Sequence, residues 1–381
     1  MPELRSGRPW VMEDMIAAEP RLIETMDRPE LARAADAAAA EVVAAVDAGR
    51  AVTVSGCGTS EHGAMAIVAQ LRQALRSTGR RALTVSARQA FEAWLDAEPG
   101  GVHIAVTHEG ATAATNAAMA RAAQAGARVI VVTAKHDSVA AQLADIALVT
   151  ALHDRSWCHT IGYLSPILAG AAISARVAAT APAWGRLAAA AGAVLGLREV
   201  ADAIGVRLGG IDNLMVVGSG VDAIAASELA LKVREGARMH ATALPLETVL
   251  HGHLAAAGQR DGLVAILTEP SARQARLIRT RQVLQAARAI GMVTAVLTDP
   301  NGAAELGHAE LAGAGNLVVP LAGDDATAAL VSSAIGLQLL TVGLAAARGT
   351  NPDRIRREEE AYARAAAIVE KEGFPADVAG N

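Results

Sequence analysis

Aromatic side chains are nearly missing. Phe, Trp and Tyr make up 2% of the 381 residues, although 52% are hydrophobic. A core without rings has to be built from Ala, Val, Leu and Ile, a composition that suits helices packed on parallel strands. Cysteine is as scarce: Cys57 and Cys158 give no disulfide framework and no metal-ligand spacing. There is no surplus of basic charge. With 34 Lys+Arg against 39 Asp+Glu the net charge is −5, and no Lys/Arg-rich run occurs, which argues against a nucleic-acid partner. The first residues carry Glu3, Glu13 and Asp14 and no apolar stretch, so no signal peptide is read. The Ala-rich runs at 34–46 and 168–193 are interrupted by Asp, Glu, Arg or Pro, so neither reads as a membrane span. The expectation is a soluble, cytoplasmic protein, long enough for two domains with cores of their own.

What is present is a repeated order. Residues 1–30 read as an extended arm with a short helix, punctuated by Pro20 and Pro29, and 31–47 as an Ala-rich helix. The apolar run 51–54 reads as a central parallel strand. Ser55-Gly56-Cys57-Gly58-Thr59-Ser60 is a small-residue turn, and 65–75 a helix. Strand, glycine turn, helix is the geometry in which backbone N–H groups and a helix dipole receive an anion. Strand 101–106, turn Thr107-His108-Glu109-Gly110-Ala111-Thr112 and helix 113–125 repeat it, followed by strands at 129–132 and 145–149. The plan then recurs: strands at 214–217, 263–268, 294–298 and 317–320 match the first four. This predicts a tandem duplication of a doubly wound parallel α/β unit. The boundaries read as an arm at 1–30, a first domain at 31–185, a second at 198–347 and a charged, helical, solvated tail at 348–381 containing RIRREEE.

The segment 226–254 carries the most chemistry. Ala226, Leu229, Ala230 and Val233 follow the spacing of one buried helix face. Lys232 and Glu235 stand three residues apart on that helix. They read either as a common i, i+3 ion pair or as a proton-transfer pair. After Pro245 comes His251-Gly252-His253 in a loop.

The turn Gly56-Cys57-Gly58-Thr59-Ser60, the turn 107–112, the helix Glu228-x-Ala230-Leu231-Lys232-x-x-Glu235 and the loop Leu250-His251-Gly252-His253-Leu254 together resemble the tandem sugar isomerase (SIS) domain family. The likeness is to the isomerase half of glucosamine-6-phosphate synthases and covers roughly 35–355. It implies flavodoxin-like SIS subdomains. It also implies a site in which Gly58, Thr59, Ser60, Thr107, His108, Glu109 and Thr112 hold the sugar's anionic end. Glu235 would shuttle a proton between C1 and C2 with Lys232 as its partner. His251, given by a neighbouring subunit of a homodimer, would open the ring. The glutaminase domain of the synthases has no counterpart here, so the resemblance implies no glutamine donor. The synthases' C-terminal sugar-binding lysine falls on Glu360. The family's second turn usually reads Ser-Gln-Ser-Gly-Glu-Thr. Glu109 therefore puts a carboxylate where a phosphate would sit, and two like charges about 4 Å apart repel by a few kcal/mol at a partly shielded site. The substrate is then a hexose 6-phosphate whose repulsion a protonated His108 partly offsets, a 6-sulfonate such as sulfoquinovose, or a less charged sugar; otherwise Glu109 binds sugar hydroxyls or an ammonium, or turns outward and caps the following helix.

The run Asp154-Arg155-Ser156-Trp157-Cys158-His159-Thr160 lies where the family contacts sugar, making Asp154, His159 and Thr160 candidates. It reads equally as a capped loop with Trp157 as a plug. No His/Asp/Glu set shows metal-ligand spacing, so no metal is expected. Gly218-Ser219-Gly220 lacks the downstream acid of a dinucleotide site, so no cofactor is expected. The reading is an aldose–ketose isomerase working through a cis-enediol. The alternatives are an amino-sugar phosphate deaminase/isomerase and a sugar-sensing SIS protein.

Overall fold

A computed structural model describes residues 2–371. The strands are β1 (Val52–Gly56), β2 (Val85–Gln89), β3 (Val102–Val106), β4 (Arg128–Thr133) and β5 (Ile146–Val149), then β6 (Asn213–Gly218), β7 (His240–Pro245), β8 (Asp261–Leu267), β9 (Val293–Thr298) and β10 (Gly315–Val318). The first five pair in the order β2-β1-β3-β4-β5 and the second five in the order β7-β6-β8-β9-β10. Every pairing is parallel. The two sheets thus have one topology, the doubly wound order whose switch point lies between the first and third strands. The expected α/β duplication is present.

The chain divides into two compact units, neither of them contiguous. The first-sheet unit comprises 21–153, 161–184 and 357–371, and the second-sheet unit 2–20, 154–160 and 185–356. Sequence order predicts β1, β3, β4 and β5 and their counterparts, but β2 and β7 read as connections. Both are edge strands. β2 buries one residue fully and β7 alternates between covered and exposed positions, so neither carries the continuous apolar run of a central strand. The tail also differs from expectation. Residues 351–359 form turns with positive φ at Ile355 and Arg356, and the helix begins only at Glu360 (Glu360–Lys371). The arm at the start of the chain holds helices at Val11–Ala17 and Glu19–Glu24.

The core of the second-sheet unit contains Ala326–Ala347, a helix long and apolar enough to cross a membrane but wholly buried here. A helix apolar all round belongs in such a core. Arg198–Leu208 packs on it with almost no side chain between. A Cβ on Gly205 would come within 2.2 Å of the Gly343 carbonyl carbon, and one on Gly343 within 2.6 Å of Ala201 O. The same unit is laced at its ends. Asp353 accepts the Val11 and Met12 N–H groups at 2.9 and 2.8 Å. Asn351 donates to Arg5 O at 2.8 Å, and Arg354 to Pro2 O at 2.9 Å.

In the first-sheet unit His103 on β3 sits buried beside Ser55 on β1, Nε2 to Oγ 2.9 Å. Burial, with a smaller effect from Arg88, lowers its pKa from 6.5 to about 4. Between those pH values the unfolded chain holds the extra proton, so stability present above pH 6.5 is lost as pH falls towards 4. Two and a half units correspond to about 3 kcal/mol. Urea denaturation from pH 7 to 4.5 is expected to show this loss, and His103→Asn to flatten it. An unchanged pH slope in the variant assigns the loss to other groups.

Candidate active site

Glu228, Lys232 and Glu235 project from one stretch of the helix Val221–Gly236 in the second-sheet unit. Lys232 and Glu228 are completely buried, while the Glu235 side chain keeps 22% exposure. Lys232 Nζ lies 2.5 Å from Glu235 Oε2 and 3.6 Å from Glu228 Oε1. Burial would strip the lysine of its proton, but the two carboxylates outweigh it and raise the pKa above the ordinary value. Glu235 moves up as well, because burial outweighs the pull of Lys232. One ammonium faces two carboxylates, so the trio has a vacancy for one more proton, and the partly exposed Glu235 is the member placed to take it. The buried Cys158 thiol donates to Glu235, and its own pKa is pushed up by burial. Sequence reasoning singled out Lys232 and Glu235. It gave Glu228 no role, although the i, i+4 spacing to Lys232 was there to read.

His251 lies between two short 3-10 turns, Thr248–Leu250 and His253–Ala256. Its side chain is 71% exposed, and Nε2 lies 3.0 Å from Oε1 of Glu247, whose Oε2 is held by Arg279. Of the 154–160 candidates, Asp154 is buried and accepts the Ser156 and Thr160 N–H groups at 3.1 and 2.6 Å. That is the capped-loop reading. Trp157 N–H donates to Asp353 O at 2.9 Å. Thr160 is fully buried, with its carbonyl accepting from Gln338 at 3.4 Å, and His159 is partly covered. The loop therefore delivers Cys158 to Glu235, a role the sequence did not disclose.

The remaining candidates stand at the carboxyl ends of β1 and β3 in the first-sheet unit. Gly58 precedes the helix Thr59–Ser77, whose first residues are Thr59 and Ser60. Thr107 is buried and donates to Thr112 Oγ1 at 3.5 Å, at the start of the helix Ala113–Gln124. His108 is buried, and its carbonyl accepts from Thr133 Oγ1 and Ala134 N at 3.1 and 3.0 Å. Gly110 turns the chain with φ +68°, and a Cβ there would meet Ser138 Oγ at 2.1 Å. Glu109 does not cap the helix. Its carboxylate lies 2.5 Å from Lys135 Nζ, beyond β4, and in contact with His153 Nε2, beyond β5. Burial alone would raise its pKa, but Lys135, His153 and His108 bring it below the usual value. The expected repulsion of a phosphate is accordingly offset by a lysine that sequence reasoning passed over. The His108 and His153 rings stack with centroids 5.3 Å apart.

Comparison with known proteins agrees with this fold. Residues 47–171 match the SIS domain family model. The glutamine–fructose-6-phosphate aminotransferase (isomerizing) of Symbiobacterium thermophilum is 29% identical over 266 residues, 66% of this chain and 42% of that protein. The chain thus spans about two-fifths of that relative's length. The C-terminal domain of glucosamine-fructose-6-phosphate aminotransferase from Francisella tularensis superposes with a TM-score of 0.77 at 18% identity, covering 92% of this chain and 100% of that one. For tagatose-6-phosphate ketose/aldose isomerase from Escherichia coli the values are 0.74, 18%, 93% and 97%. For glucosamine-6-phosphate deaminase from Thermotoga maritima they are 0.68, 16%, 90% and 96%. The chain has the SIS-type fold of phosphosugar isomerases.

Lys232→Met would leave one buried and one partly exposed carboxylate without their cation, and breaking a buried pair typically costs about 3–5 kcal/mol. Chemical denaturation at pH 7 is expected to show a loss of about that size. The deficit is expected to shrink towards pH 5, where uncompensated carboxylates with raised pKa values take up protons in the folded state before the unfolded one. A pH-independent deficit would mean that lost packing dominates.

Proposed function

With an SIS domain in its first half as the starting point, we propose that this protein is an aldose–ketose isomerase for a hexose derivative and works through a cis-enediol. The observation that carries the reading is the Glu228–Lys232–Glu235 trio, with its single partly exposed carboxylate. Glu235 takes the proton from C2 of the open-chain aldose while the C1 oxygen gains one, leaving an enediol. The same carboxyl returns its proton to C1 as the C2 hydroxyl becomes the ketone. Lys232 keeps Glu235 anionic enough to act as a base, and Glu228 keeps Lys232 charged. The shuttle itself needs only one movable proton.

His251 opens the ring by moving a proton between O1 and O5, and it does so in the site of a second copy within a homodimer. Its exposed place in a loop between two short turns supports this. The turns Gly58–Ser60 and Thr107–Thr112 hold the sugar's far end. Because Glu109 spends its charge on Lys135 and His153, a 6-phosphate remains within the substrate class, together with a 6-sulfonate such as sulfoquinovose. An amino-sugar phosphate deaminase is the second reading, since a deaminase shares the fold. Deamination of glucosamine 6-phosphate would begin with the same proton transfer and release ammonia. A purely sugar-sensing protein would have no need of the proton-poor trio.

A panel of hexoses, hexose 6-phosphates and 6-sulfonates in D₂O tests the proposal through exchange of the C2 proton. Glu235→Gln is expected to lower exchange by at least about a thousandfold while sugar binding persists, in line with loss of a general base and its charge. Exchange within tenfold of the unaltered protein removes Glu235 from the role. Mixing Glu235→Gln with His251→Ala is expected to restore part of the activity. Mixed dimers that stay inactive count against the shared site.

A further inference from the structure

We propose that His108, Glu109 and His153 form a binding site for a divalent transition-metal ion of the zinc class. Their donor atoms, one imidazole nitrogen from each histidine and one carboxylate oxygen, all lie within 4.8 Å of one another. Donors at 2.0–2.1 Å from a tetrahedral zinc stand about 3.3 Å apart, so Glu109 and His153, which touch each other, have to part slightly to admit an ion between them and His108. Both have room to do so. The Glu109 and His153 side chains are 40% and 42% exposed, while His108 is buried and anchored through its carbonyl to Thr133 and Ala134. One fixed ligand and two adjustable ones is an arrangement that admits an ion without refolding.

The carboxylate is already divided between two tasks. Oε2 is held by Lys135 and Oε1 faces His153. An ion bound on the Oε1 side leaves the lysine bond in place, so Lys135 would orient the ligand as outer partners of metal sites do. Lys135 is itself 43% exposed, so it can recede from the added charge. Two histidines and a glutamate make a borderline-soft donor set that favours Zn²⁺, Co²⁺ or Ni²⁺ over Mg²⁺ or Ca²⁺. Three protein ligands leave at least one position for water or an oxygen of a bound anion or hydroxyl. The linear spacing hid this set, because His153 comes from the loop after β5 and meets the others only when the parallel sheet brings its carboxyl edge together.

Tag-free protein stripped with chelator and titrated with Co²⁺ tests the site without any activity measurement. One equivalent per chain is expected, with the intense visible absorption of low-coordinate cobalt and displacement by Zn²⁺. Glu109→Ala and His153→Ala, both at exposed positions and confirmed as folded by circular dichroism, are each expected to weaken binding by about 100-fold or more. His136→Ala, next to Lys135 but outside the set, is expected to leave binding unchanged. Absence of stoichiometric binding by the unaltered protein overturns the proposal, and so does binding that survives both ligand substitutions.

Discussion

Parallel pairing is the constraint from which most of this molecule follows. A chain that pairs parallel has to cross back over the sheet after every strand, so all turns leading out of strands gather at one edge. In the first-sheet unit that edge collects the turn after β1, the 107–112 turn after β3, Lys135 after β4 and His153 after β5. No two of these segments are neighbours in sequence. Their chemistry is a product of topology, and the Ala- and Val-rich composition matters because it lets helices cover both faces of the sheet without aromatic bulk.

The two halves share a topology but have used it differently. In the second-sheet unit the turn after β8 has filled its own anion seat. Glu269 accepts the Val221 N–H at the start of the helix Val221–Gly236 and the Ser271 N–H, at 3.2 and 3.1 Å. Asp222 beside it is pinned by Thr268 and Glu269, and burial lifts its pKa to about 6. A helix N-terminus satisfied by an internal carboxylate has little left to offer a ligand. The corresponding turn of the first-sheet unit keeps its carboxylate, Glu109, against a lysine and a histidine at the surface. One turn is an internal staple and the other keeps its charge at the surface. The proton-poor cluster of the second-sheet unit lies on the helix Val221–Gly236 instead.

The sequence disclosed what depends on local periodicity and concealed what depends on the fold. Central strands were legible because both faces are buried, so their apolar runs are continuous; β2 and β7, half covered at the edges, carried no such signal. Lys232 and Glu235 were legible from helical spacing, and Glu228 lay within the same rule. Cys158 was not, because its contact with Glu235 is made by a loop distant in sequence. Lys135 and His153 were hidden for the same reason, and with them the balance of charge at Glu109. Asp154 reads equally as a sugar contact and as a loop cap from sequence, and its oxygens accept the Ser156 and Thr160 N–H groups of its own turn.

The lacing of the second-sheet unit bears on how this chain folds. The acceptors for Val11 and Met12 sit on Asp353, 342 and 341 residues away in sequence, and the same neighbourhood holds Arg5 and Pro2 through Asn351 and Arg354. The segment 2–20 therefore finds these partners only across a very long stretch of chain. The five strands of the first-sheet unit lie between 52 and 149, so their pairings are far more local. Closing the second unit at its two ends is a long-range event, and contacts of that kind slow folding more than they cost stability. Glu228, Lys232 and Glu235, by contrast, share one helix and meet through local spacing, so the charge cluster depends on the long-range closure for its burial and not for its contacts.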